Sequence, residues 1–327
     1  MTRTLAVARE IWPLRGAFRI SRGSKTESVV VVARVAQDGA AGAGECVPYA
    51  RYGESVESVL AQIESARALI ERGGGRDELQ KALPAGAARN ALDCALWDLE
   101  AKRAGKRVWQ LAGLSAPQTL VTAFTLGVDE PEKMADAARA AAHRPLLKLK
   151  LTGAGDLARV EAVRKAAPSA RLIVDANEAW DTALFDELSP RLAALGVDLI
   201  EQPLHAERDS GLAGREHPVA VCADESCHDT ASLAHVAGRY EAINIKLDKT
   251  GGFTEALALR KAAFAAGYRV MVGCMVATSL SMAPAHLIAQ GAAWVDVDGP
   301  LLLDRDRDPG LRFEGSRVHA PDAQLWG

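Results

Sequence analysis

The sequence predicts an α/β protein built on a TIM-type barrel, with a smaller α+β unit ahead of it. Two observations carry this. After residue 120, apolar runs recur eight times, as VTAFTLG, LLKLKLTG, RLIVDAN, DLIEQP, VAVCADES, AINIKLD, RVMVGCM and AWVDVDG, with alanine-rich amphipathic stretches between most of them. With Thr125, Lys150, Asp175, Glu201, Asp224, Lys246, Gly273 and Asp296 as strand-end markers, the spacings are 25, 25, 26, 23, 22, 27 and 23 residues. Each interval holds one strand, one helix and two short loops, the repeat of a parallel sheet. Eight units in succession favour a barrel over a doubly wound open sheet, and no GxGxxG or Walker loop follows the first strand.

Ahead of the repeat, AFRIS and SVVVVARVAQDG are alternating or β-branched runs with turn residues between them, which predicts antiparallel strands within residues 1 to about 50. GESVESVLAQIESARALIERG and AGAARNALDCALWDLEAKRAG then carry apolar residues at helical spacing, the second closed by glycine. Trp97 and Trp109 fall in apolar contexts and read as core.

Composition narrows the function classes. A chain of 327 residues, 49% hydrophobic and 25% charged, suits one large α/β domain with a smaller one. A formal charge of −3 predicts no general affinity for nucleic acid or anionic membrane. The five cysteines, Cys46, Cys94, Cys222, Cys227 and Cys274, include no CxxC pair, so neither a disulfide framework nor a zinc ribbon is indicated and reduced thiols in the cytoplasm fit best. The start, MTRTLAVAREIWPLRG, lacks the apolar stretch of a signal peptide, and no apolar run approaches the roughly 20 residues of a membrane span.

In such a barrel the strand C-termini ring one mouth, so the charged residues at those positions converge on one pocket. Charges that met there without a shared purpose would repel one another or lose solvent, which favours a functional reading of the set. Asp175, Glu201 and Asp224 supply oxygen only, from three neighbouring strands, which favours a hard divalent cation, Mg²⁺ before Mn²⁺, over zinc. Lys148 and Lys150 share one strand face, and Lys246 stands on the far side of the acids. A lysine serves as a base only if its pKa falls below the usual value of about 10.4, and a neighbouring metal and second ammonium push that way. Opposed lysines beside a metal remove a proton from one face of a carbon and return it to the other. Asp296 and Asp298, two residues apart, share one strand face, where two like charges call for a cation between them.

The segments KLK (148–150), DAN (175–177), EQP (201–203), ADES (223–226) and NIKLDKTGG (244–252) resemble the enolase superfamily, muconate lactonizing subgroup, and within it the dipeptide epimerases acting on L-Ala-D/L-Glu. The resemblance runs the length of the chain and includes RGSKTESVVVV, GECVPYARYGES and LPAGAARNALDCALWDL. It implies a modified TIM barrel, (β/α)7β, at 116–305, an N-terminal α+β capping domain at 1–115 that acts as a specificity lid, and a segment 306–327 returning to the cap. It also implies one Mg²⁺ on Asp175, Glu201 and Asp224, with Lys150 and Lys246 as acid and base on opposite faces of the substrate α-carbon. Lys148 adds positive charge beside the substrate carboxylate, and all this positive charge stabilises an enediolate more than it stabilises the substrate. Of the two lysines in KLDK, alternation and the motif select Lys246, and Lys249 reads as a turn residue before Gly251 and Gly252.

The resemblance further implies that Asp296 and Asp298 receive the α-ammonium of a dipeptide. ISRGSKTE closes over the mouth as a lid, where Arg22 either binds a side-chain carboxylate in bidentate fashion or is a solvated charge. Ser24, Lys25 and Tyr52 are further candidates for the same cap. Thr125 and the loop of Cys274, Met275 and Ser279 either line the pocket or pack. The expected activity is interconversion of L-Ala-D-Glu and L-Ala-L-Glu in the reuse of cell-wall peptide. The expected partner is the dipeptide, and the sequence is compatible with a homo-oligomer. Muconate cycloisomerase and o-succinylbenzoate synthase share the lysines and acids but carry no substrate ammonium. A sugar-acid dehydratase would need a late-strand histidine that RVMVGCM lacks. A catalytically silent barrel is the reading from outside the enzymes.

Overall fold

The structure, a computed structural model, describes residues 3–327. It opens with an antiparallel sheet in the order β1 (Thr4–Ile20), β2 (Gly23–Gln37), β3 (Ala40–Cys46). AFRIS is only the end of β1; its earlier part pairs in register from Thr4 opposite Ala36 to Pro13 opposite Glu27, and the register shifts before Phe18. Charged residues hide that earlier part from an apolar pattern, but it lies against the buried valines of β2. The helices α1 (Val56–Ser65), α2 (Arg67–Glu71), α3 (Arg76–Ala82), α4 (Ala87–Ala104) and α5 (Val108–Leu111) follow. Thus the first predicted helix is two pieces and the second is one. β3 has no β-branched residue, and close packing makes it a strand: a Cβ at Gly42 or Gly44 would strike the Ala95 or Ala91 carbonyl of α4. Glycine alone allows that approach.

After β4 (Leu120–Val121), the eight predicted runs form one parallel sheet in sequence order. Its strands are β5 (Phe124–Leu126), β6 (Leu146–Lys150), β7 (Arg171–Asp175), β8 (Val197–Glu201), β9 (Val221–Ala223), β10 (Ala242–Ile245), β11 (Arg269–Val272) and β12 (Trp294–Val295). The Ala123 N–H donates to the Val295 carbonyl at 2.7 Å and joins the two ends of the sheet. Crossovers carry α6 (Pro131–Ala140), α7 (Asp156–Ala166), α8 (Thr182–Ala194), a 3₁₀ turn at Ala206–Leu212, α9 (Ser232–Val236), α10 (Leu247–Thr250) with α11 (Phe253–Ala265), and α12 (Ser279–Ile288).

The barrel interior is layered by the two-residue period of its strands. Each strand, or for β5 the residue before it, contributes one member to a small apolar cluster, from Ala123 through Leu146, Ile173 and Leu199 to Trp294. Two residues further along, on the same face, stand Thr125, Lys148, Asp175, Glu201, Asp224, Asn244, Gly273 and Asp296. The apolar layer is therefore a floor, and the polar layer is what the mouth exposes. Gly273 belongs to it because a Cβ there would meet the Asn244 side chain at 2.7 Å.

After α13 (Gly299–Leu302), the strand β13 (Phe313–Glu314) pairs with β14 (Arg317–Val318), and β14 pairs with β4. The chain then returns to the cap: the Trp326 indole donates to the Cys94 carbonyl at 3.0 Å and the Gly327 N–H to Asp98 Oδ1 at 2.7 Å. Trp97 is buried in α4, and Trp109 packs against the core. Among the described residues no helix is long and apolar enough to cross a membrane.

Candidate active site

A cavity of about 370 Å³ lies between the β1–β2 turn and the barrel mouth. Its lining includes Lys150, Asp224 and Lys246 from the barrel and Arg22, Ser24 and Tyr52 from the cap. Lys150 ends the second strand of the barrel and Lys246 follows the sixth, so they stand half a turn apart across an eight-stranded ring. Asp175, Glu201 and Asp224 lie on or just after the strands between them, fully buried.

Each acid is engaged by an ammonium. Lys150 Nζ donates to Asp175 Oδ2 at 2.6 Å, and Lys246 Nζ to Asp224 Oδ2 at 2.6 Å. Lys148 reaches across the ring, 2.7 Å from Glu201 Oε2, 2.8 Å from Asp296 Oδ2 and 3.3 Å from Asp175 Oδ2. Burial works against all these charges, and the partners decide the outcome. Burial alone would raise Asp224, but Lys246 and Lys249 hold it well below the usual carboxylate range. Asp175 is likewise lowered, by Lys150 and Lys148. Glu201 is pushed up by burial and by Asp175. The lysines run against the expectation of depressed values. Burial opposes charge on Lys246 and Lys148, but carboxylates directly on each ammonium more than offset it and raise both above normal.

The donor chemistry suits a hard divalent cation: three carboxylates and no nitrogen or sulfur ligand, with Asp175 in register opposite Glu201 on the adjacent strand. As they lie, no group of three such side chains among the described residues closes on a common point. Each of the three acids instead contacts a lysine. Buried Glu201 Oε2 accepts no hydrogen bond and has the Lys148 ammonium 2.7 Å away. The set therefore fits a cation that shares the acids with the lysines.

On the far wall, Asp296 and Asp298 both border the cavity. β12 ends at Val295, so the pair sits on the strand's extension and not within it. Lys148 already contacts Asp296, so any further cation there would share the carboxylate with it. Asp298 is more open. It accepts from the Thr125 N–H at 2.6 Å, and burial together with Asp296 pushes its pKa up to about 7.

The lid residues meet the mouth. Ser21 Oγ and Arg22 Nη1 both donate to the Asn177 carbonyl at 3.1 Å, in the loop after β7. Arg22 is also 2.8 Å from Glu225 Oε1 and donates to the Tyr49 hydroxyl at 3.0 Å, so it is no solvated charge. Lys25 lines the cavity, its pKa lowered by burial and by Lys150. Cys274 and Met275 line it too, whereas Ser279 does not: its hydroxyl bonds Asp306 and accepts the Leu311 N–H at 2.8 Å, tying down the C-terminal segment.

Sequence reasoning missed four residues here. Lys249 is no turn residue: it is fully buried and donates to Asp224 Oδ1 at 2.7 Å and to the Asn244 carbonyl at 2.8 Å. Asn244 donates to Glu201 Oε1 at 2.7 Å. Gln202, at φ +34°, accepts the Asp224 N–H at 2.8 Å and so couples the ends of β8 and β9. A non-glycine residue in that region costs roughly 1–3 kcal/mol, which the further hydrogen bonds of its side-chain amide, to Leu204, Ser226 and Tyr240, offset. Glu225 is buried against the cavity, and burial, Asp224 and Asp175 push its pKa up to about 8.

Residues 132–324 match the enolase C-terminal domain-like family, and residues 2–113 the N-terminal domain of the mandelate racemase/muconate lactonizing enzymes. The chain is 48% identical to the L-Ala-D/L-Glu epimerase of Escherichia coli K12, over 97% of this chain and 99% of that one. A solved structure of an enolase family member from Agrobacterium tumefaciens, described as homologous to dipeptide epimerases and holding sodium and L-Ala-L-Glu, superposes with a TM-score of 0.98 at 52% identity, covering 99% of this chain and 100% of that one. A dipeptide epimerase from Enterococcus faecalis, complexed with Mg and L-Leu-L-Tyr, superposes with a TM-score of 0.90 at 28% identity, with 98% of each chain covered.

Proposed function

The chain belongs to the enolase superfamily, with the N- and C-terminal domains of its mandelate racemase/muconate lactonizing branch, and from that premise we propose that it is an isomerase that interconverts L-Ala-D-Glu and L-Ala-L-Glu. The observation that carries the reading is the placement of Lys150 and Lys246 half a barrel turn apart on one cavity that also holds Asp296 and Asp298.

With the α-carbon between them, one lysine, as a neutral amine, takes the α-proton, and the other, as an ammonium, delivers one to the opposite face. The reverse assignment serves the other epimer. Lys148 supplies a buried positive charge beside the carboxylate on which negative charge develops. Asp175, Glu201 and Asp224 would hold Mg²⁺, with Mn²⁺ as a substitute. When bound, it supplies fixed positive charge to the substrate carboxylate and lowers the proton affinity of the lysines sharing its ligands. Asp298 carries the open charge for the dipeptide ammonium, with Asp296 sharing its own between that ammonium and Lys148. Arg22 faces the side-chain carboxylate, and residues 1–115 serve as the lid over a barrel at 116–305.

Cysteines without disulfides fit a cytoplasmic enzyme, and the substrate fits reuse of cell-wall peptide. A muconate cycloisomerase or o-succinylbenzoate synthase is disfavoured by the two buried carboxylates on the substrate wall. Incubation of each epimer with Mg²⁺ in D₂O tests the reading: both should acquire α-deuterium, and absence of exchange in both would overturn it.

A further inference from the structure

Glu225 is the one cavity-facing carboxylate that the proposed mechanism leaves unused. Its side chain is 1% exposed and neither oxygen makes a hydrogen bond, although both Glu225 and Arg22 border the cavity that holds the two lysines. Among the described residues, Arg22 is the only cation within ion-pair distance of it. The other acid near Arg22 is in a different position. Glu178 receives Arg51 through both oxygens at 2.7 Å and the Ala206 N–H at 2.9 Å, so it keeps its partners without Arg22. Arg22 therefore neutralises Glu225 in particular, and it does so from the β1–β2 turn with a side chain still 27% exposed.

We propose that Glu225 is a second side-chain subsite, a carboxylate able to receive an ammonium or guanidinium, and that the Arg22–Glu225 pair sets the charge of the side chain the cavity accepts. The inference rests on the dipeptide reading above. With Arg22 present, the exposed end of the pair is cationic and an acidic side chain joins it, while a basic one meets a like charge. Without Arg22, the buried Glu225 carboxyl loses the one cation beside it, and a basic side chain that enters there restores the ion pair. Selectivity then comes as much from the repelled partner as from the attracted one.

The test uses the full chain with Mg²⁺ as wild type, R22M and R22M/E225Q, with L-Ala-L-Glu, L-Ala-L-Lys and the uncharged L-Ala-L-Met. Relative to wild type, R22M should raise the ratio of lysyl to methionyl dipeptide exchange by about tenfold or more, and adding E225Q should return that ratio toward one. Calorimetric binding of L-Ala-L-Lys, which needs no turnover, should show the same order, tighter to R22M than to R22M/E225Q. Equal gains on the lysyl and methionyl dipeptides in R22M, or a lysyl preference that survives E225Q, would overturn the subsite. Absence of exchange by wild type on all three would count against the dipeptide reading alone, because the binding comparison still decides the subsite. Comparison of melting temperatures separates either result from misfolding.

Discussion

Lys249 Nζ donates to Asp224 Oδ1 at 2.7 Å from a side chain with no solvent exposure. Lys246 holds the other oxygen at 2.6 Å, so two ammoniums fix one carboxylate from opposite ends. Removing one partner of a buried pair leaves an uncompensated charge and costs about 3–5 kcal/mol, whereas an exposed pair is worth about 0–1 kcal/mol. K249M leaves Asp224 with Lys246 alone and the buried Asn244 carbonyl without its lysine donor, so it should lower the free energy of urea unfolding by about 1–3 kcal/mol. R171A, which breaks the exposed contact of Arg171 with Asp198, should lower it by less than about 1 kcal/mol. Similar small losses in both would show that Asp224 does not depend on Lys249.

Lys150 and Lys246 follow strands four positions apart in a ring of eight, so each reaches only one face of a carbon held between them. K150A and K246A should each lose α-proton exchange for one epimer by about 10²–10⁴-fold while keeping measurable exchange of the other. Proton NMR in D₂O, with each epimer separately, reads this directly. Loss of both epimers to the same extent in both variants would argue against a division by face.

The strand-end residues were legible because barrel strands keep a period of two, which places Lys148, Asp175, Glu201 and Asp224 above an apolar floor by counting alone. Lys249 was not, because the period changes directly after Lys246. α10 begins at Leu247, and on a helix a residue three positions on returns to the same side, so strand alternation extended past Lys246 sends Lys249 to the wrong face. β3 escaped notice for a related reason: Gly42 and Gly44 serve the approach of α4 and carry no strand propensity. The contact of Lys148 with Asp296 joins residues 148 positions apart across the barrel, and no local pattern encodes it.

The same lysines imply that the fold stands without a divalent cation. Lys148, Lys150, Lys246 and Lys249 already bring positive charge to Asp175, Glu201 and Asp224 within 2.6–2.7 Å. Chelator-treated protein should therefore unfold cooperatively with native secondary structure while losing exchange of both epimers. Mg²⁺ should restore exchange and raise the melting temperature with concentration, by about 2.7 kcal/mol of stability at a hundredfold excess over Kd. A protein that unfolds on chelation would mean the cation, not the lysines, holds the acid layer together.

Two buried carboxylates at the joint between cap and barrel contribute to the pH dependence of stability, in the same direction as Asp298 and Glu225 at the cavity. Asp248 Oδ1 accepts the Val47 N–H at 3.1 Å and the Asn90 amide at 2.8 Å, and burial pushes its pKa up to about 7. Asp93, bonded to the Thr254 hydroxyl at 2.7 Å, is raised by burial to about 6. In the unfolded chain both return to about 3.9, so between about pH 4 and pH 7 the native state binds more protons than the unfolded one. Stability therefore falls as pH rises through that window, by an amount on the order of a few kcal/mol. Asp175 and Asp224 are held low and lose their contribution only on acidification below that range, so they leave the slope unchanged. Urea unfolding across the window should show the decline in wild type, and D248N, which has no proton to lose there, should make it shallower. An unchanged slope in D248N would mean that Asp248 is ionised in the native state throughout, held by Asn90 and the Val47 amide against the cost of its burial.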